Sequence, residues 1–109
     1  MQKIELLELT GNGEVHNLSG HERGVAARAK FNLAALDEGS EPVVVAIPEF
    51  VYTITPSFFQ GMFADSVKKL GNREGFLAHY SFIAPPIVLQ QIENGIRSSL
   101  MKRGNLFSH

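Results

Sequence analysis

Two hydroxyl residues, Thr55 and Ser57, stand on either side of Pro56 at the head of an apolar segment with helical spacing. A hydroxyl at such a place can cap the helix by accepting from a free backbone N–H. It can also carry a regulatory phosphate, stabilised by the free N–H groups and the helix dipole. The residue types leave both uses open. Just upstream, Pro48 is followed by Glu49, Phe50, Val51 and Tyr52. Aromatic residues on an exposed rim are the usual anchors of protein interfaces, so Glu49, Phe50, Tyr52 and Phe58 are candidate partner-binding residues. The alternative is that the rings fold back onto a sheet. A helix N-terminus also takes anions, which gives a second chemistry: binding or turnover of a phosphorylated metabolite.

Other chemistry finds less support. The histidines are His16, His21, His79 and His109, and no two share the i, i+4 spacing of a helical metal pair. No metal and no cofactor are therefore expected. His21 lies beside Glu22, but no nucleophile motif accompanies it. Gly11-Asn12-Gly13 reads as a hairpin turn and lacks the Lys-Ser/Thr of a phosphate loop. Cysteine is absent, which removes disulfides and thiolate chemistry. With no catalytic constellation, the chain reads as a non-enzyme.

The positioning elements follow from periodicity. Residues 3–9 suit an edge strand, and residues 14–18 a second short one. An edge with so few charges could pair with a second copy, giving a homodimer. Ser19-Gly20-His21-Glu22 fits a capping box, opening an Ala-rich helix that Asn32 breaks and Leu33 restarts. Val43-Val44-Val45-Ala46-Ile47 reads as a central strand buried on both faces and ended by Pro48. Residues 55–70 form the clearest helix, with Thr55 as cap, Pro56 in its first turn and Gly71 as stop. Phe58, Phe59, Met62, Phe63, Val67 and Leu70 make one apolar face, which reads as core rather than as a ligand pocket. Gly61 inside that face marks close approach to another backbone. Residues 76–83 alternate like a strand, and the last helix follows Pro85-Pro86.

The chain of 109 residues suits one domain over 1–109. Charged residues make up 19% and net charge is −1, against the basic excess of a nucleic-acid binder. That total hides asymmetry: residues 1–55 sum to −4 and residues 56–109 to +3. Arg97, Lys102 and Arg103 form either a basic face for an acidic partner or a solvated helix surface. Glu5 and Glu8 interrupt the first apolar stretch, and no segment has the length of a span, so a cytoplasmic protein without membrane contact is expected.

The stretch Ile54-Thr55-Pro56-Ser57-Phe58, with Phe63 further along the helix, resembles the signature loop of STAS domains. STAS is the fold of anti-sigma-factor antagonists, and the stretch is closer still to a bacterial STAS-like group of unknown function. Gly24 to Arg28, Leu70-Gly71, Phe76 and the helix after Pro86 extend the resemblance over roughly residues 19–103. It implies an α/β fold: a small STAS-like sandwich, a mixed four- to five-stranded sheet with three helices. It also implies a regulatory module docking through residues 49–58 and the 55–70 helix onto a protein partner, such as a histidine-kinase-like ATPase. Two positions depart from the antagonists. Ile47 stands where they carry Asp near the strand end, and Pro56 aligns with their phosphoacceptor, leaving Ser57 as the hydroxyl in reach.

Overall fold

The computed structural model describes residues 2–11 and 15–105, with side chains as far as Met101. Strands and helices are numbered in chain order. The β-branched run Val43–Ala46 forms β3, the middle of a three-stranded parallel sheet. β1 (Gln2–Glu5) lies on one side of it and β5 (Tyr80–Ile83) on the other. The register sets Ile4, Val45 and Phe82 side by side, and Val43 beside Tyr80, so these residues share a face. Val43, Val45 and Tyr80 are fully buried on it. On the opposite face Lys3, Glu5, Ser81 and Ile83 are exposed, and Val44 and Ala46 half-buried. One face of this sheet is covered, so the expectation of a central strand buried on both faces is corrected. A second, two-stranded parallel sheet joins β2 (Asn17–Leu18) to β4 (Thr53–Ile54).

Five α-helices complete the described fold: α1 (His21–Lys30), α2 (Leu33–Glu38), α3 (Pro56–Leu70), α4 (Arg73–His79) and α5 (Pro86–Asn105). Asn32 separates the first two by taking the left-handed conformation, φ 54° and ψ 51°, which Asn tolerates better than most residues. α3 is the central helix. Its Phe63 ring meets those of Phe59, Phe76, Tyr80 and Phe82 at centroid distances of 5.3 to 5.8 Å. α1 crosses α3 at Gly24 and Gly61. A Cβ on Gly24 would sit 2.2 Å from the Phe58 carbonyl oxygen, and one on Gly61 2.3 Å from that of His21. The two backbones touch at a point where neither helix tolerates a side chain, as the isolated Gly61 implies.

Several elements differ from expectation. The first strand ends at Glu5, and Leu6–Leu9 turn into a 3-10 helix that buries Leu6. A hairpin between the first two strands does not form, because β1 and β2 each pair in parallel with a later strand. Asn12 and Gly13 of the expected turn, with Glu14 of the expected second strand, lie outside the described residues. So do residues 106–109 and the side chains of Lys102 and Arg103. α1 is capped by Gly20, φ 92°, without a side-chain bond, so Glu22 falls at the second helical position and no capping box closes. Residues 73–79 are helical: Asn72 Oδ1 accepts from Gly75 N at 2.7 Å, and the strand starts at Tyr80. The result is an α/β fold with five described helices and two small parallel sheets, not three helices on one mixed sheet.

Candidate functional site

The chain leaves β3 through Ile47, whose N–H donates to Ile83 O at 2.8 Å, and then turns, with Val51 N donating to Pro48 O at 3.1 Å. This places residues 48–57 at the carboxyl end of the sheet, where open parallel sheets commonly keep their functional loops. Two sides hold the loop. From β2 and the residue before it, His16 O accepts from Tyr52 N and Leu18 O from Thr55 N, each at 2.8 Å. From α5, the Gln91 side-chain carbonyl accepts from Ile54 N, also at 2.8 Å. His16 adds a side-chain bond. Its Nδ1 lies 2.9 Å from Phe50 O, and a carbonyl can only accept, so Nδ1 carries a proton. The imidazole stacks on Tyr52 (5.3 Å, 16° between planes) and meets Phe50 edge-on at 5.7 Å.

Tyr52 is 62% exposed. Glu49, Pro56 and Ser57 are exposed beside it, Phe50 is half-buried against the core and Thr55 is half-buried. Thr55 caps α3 as expected: its Oγ1 accepts from Phe58 N at 3.3 Å and lies 3.3 Å from Ser57 Oγ. Phe58 corrects its expected place on the rim. It is 2% exposed, because the first turn of α3 points it inward beside Ala26 and Ala27 of α1, while Phe59 packs against Gly95 of α5. The apolar face of α3 is likewise core, so the surface this helix offers near the loop is its first turn. A hollow of about 190 Å³ lies between Thr53, Pro56, Gln91 and Asn94. No charged side chain lines it.

A second polar group forms at the other end of the sheet. Asp37 of α2 is buried, and both its oxygens are engaged. Oδ1 accepts from Ser66 Oγ at 2.6 Å and Tyr80 Oη at 2.5 Å, and Oδ2 from Arg28 at 2.6 Å. Arg28 also donates to Ser66 Oγ at 2.8 Å and Met62 O at 3.0 Å. Burial, then the bond to Asp37, pushes the Tyr80 phenol well above its ordinary value, so it stays protonated. Among the described residues no buried side-chain polar atom lacks a partner. This cluster ties α1, α2, α3 and β5 together. No single local motif announces it, since the partners of Asp37 lie 9, 29 and 43 residues away.

His21 is exposed, and His79 donates from Nε2 to Leu36 O at 2.6 Å, so the described histidines stand apart from one another. Among the described residues no three His, Asp or Glu side chains converge as a metal site would require, and no helix is long and apolar enough to cross a membrane. No protein-family model matches this chain, and neither a curated protein nor a solved structure matches it.

Proposed function

We propose that this chain is a regulatory protein-interaction module of STAS-like type that docks a protein partner through the 49–57 loop and the first turn of α3. The observation that carries the reading is the Tyr52 ring, 62% exposed on a backbone pinned from two sides by His16 and Gln91. A rigid exposed aromatic anchor loses little conformational freedom on binding. Glu49 and Ser57 flank it, and a phosphate on Ser57 would add charge beside the anchor and so alter docking. Resemblance to STAS-like domains names the partner class as a histidine-kinase-like ATPase. The test is co-purification from the native host with the tagged chain and its Tyr52→Ala and Ser57→Asp variants. The expected result is one stoichiometric partner, lost with Tyr52→Ala at an unchanged melting temperature. Retention of the same partner by both variants would overturn the reading.

A further inference from the structure

An apolar cavity of about 250 Å³ opens between α1, β2 and the 3-10 turn. Its floor is Leu18, Ala27 and Phe58, all at most 3% exposed. Ala26 and Leu9 form its flanks. Small side chains on α1 create the space: Ala26 and Ala27 leave room that larger residues would fill. An apolar cavity of about 150 Å³ can stay dry and bind benzene, so this one has room for a two-ring body.

The mouth carries two cations on one face of α1, Arg23 and Lys30, two turns apart. Lys30 Nζ pairs with Glu8 at 3.5 Å, both ends well exposed, an interaction that water and salt weaken readily. Arg23 differs from the other arginines whose side chains are described. Arg28 engages Asp37, Arg73 engages Glu93, and Arg97 engages Asn94. Arg23 has no hydrogen bond or ion pair among the described residues. A guanidinium presents a planar fork that matches a carboxylate.

We infer that this cavity binds a small amphipathic carboxylate, with a flat or branched apolar body against Leu18, Ala27 and Phe58 and its carboxylate on Arg23. The pairing follows from chemistry. The walls reward apolar area, while of the two cations at the rim Arg23 is the one without an ion-pair partner among the described residues, a positive charge with several donors. A neutral apolar ligand would leave Arg23 unused, and a bare inorganic anion would leave the walls unused.

The test is an amide-resolved NMR titration of the full chain with 2-naphthoate, run beside its neutral counterpart 2-naphthylmethanol. Saturable one-to-one binding is expected, with shifts at the amides of Leu18, Ala26, Ala27 and Phe58. Arg23→Gln removes a charge-assisted bond, so the affinity for 2-naphthoate falls about tenfold or more at an unchanged melting temperature. The alcohol should bind more weakly and ignore that substitution. Ala26→Phe, placed on the exposed side of α1, should fill the mouth and abolish both. The inference is overturned if 2-naphthoate shows no saturation at millimolar concentration, if Arg23→Gln binds it as well as the wild-type chain, or if the alcohol binds equally tightly.

Discussion

The two ends of the three-stranded sheet hold their polar side chains in opposite ways. At the amino end, where Tyr80 begins β5 beside Val43, Arg28, Asp37, Ser66 and Tyr80 bond one another, the last three buried and Arg28 half-buried. At the carboxyl end, His16 and Gln91 bond backbone atoms of one loop, Thr55 caps the helix that follows it, and Tyr52, Glu49 and Ser57 are left facing water. The first arrangement joins secondary-structure elements. The second fixes the shape of a surface. A cluster rich in charge and hydroxyls is thus the poorer candidate site, because no buried polar side-chain atom among the described residues is left without a partner.

Substitutions at the two ends should separate in size and in kind. Asp37→Ala should have the largest effect. It leaves the Arg28 charge and two buried hydroxyls without their acceptor, for a loss of about 3–5 kcal/mol in denaturant unfolding. Tyr80→Phe removes one bond to a carboxylate and should cost about 1.5–3 kcal/mol. It should also change the alkaline limb of stability. Ionisation of Tyr80 begins near 10.0 in the unfolded chain and only higher in the folded one. Above pH 10.0 the unfolded state therefore binds fewer protons, and stability falls by up to about 1.4 kcal/mol per pH unit. Comparing wild type with Tyr80→Phe across that range should show the extra slope in the wild type alone. Gln91→Leu orphans the Ile54 N–H and should cost about 1–2 kcal/mol, with faster hydrogen exchange at that amide. Ser57→Ala should be smallest, within about 0.5 kcal/mol, since this exposed hydroxyl contributes no cap of its own. If Ser57→Ala proved as damaging as Asp37→Ala, the contrast between the two ends would collapse.

Local signals made the central elements legible. The Val43–Ala46 run and the Thr55-Pro56 start of α3 state strand and helix within a few residues, and Gly71, φ 90°, stops that helix as expected. Gly61 disclosed a close backbone approach, though its partner Gly24 lies 37 positions earlier and nothing local connects them. Of the strand expected over residues 76–83, Tyr80–Ile83 forms, and residues 76–79 depart from it for a definable reason. Phe76, Ala78, Tyr80 and Phe82 alternate, yet Asn72 caps a helical turn first, and a seven-residue helix that buries Phe76 meets the same apolar demand. At the candidate site, Thr55 was readable as a cap because its partner is three residues away. His16 and Gln91 were not readable as supports, because each reaches a carbonyl or amide more than thirty residues distant. Phe58 carries the rim's residue type but the core's helical phase, and phase decides its burial.

Site-specific photo-cross-linking in the native host tests the central claim most directly, with the cross-linker placed at Tyr52 or at Ile83. These residues are 62% and 60% exposed, so accessibility alone does not distinguish them. A discrete protein adduct from position 52 and none from position 83 is the predicted result. No adduct at position 52, or the same adduct from both positions, would contradict a docking surface built around the loop.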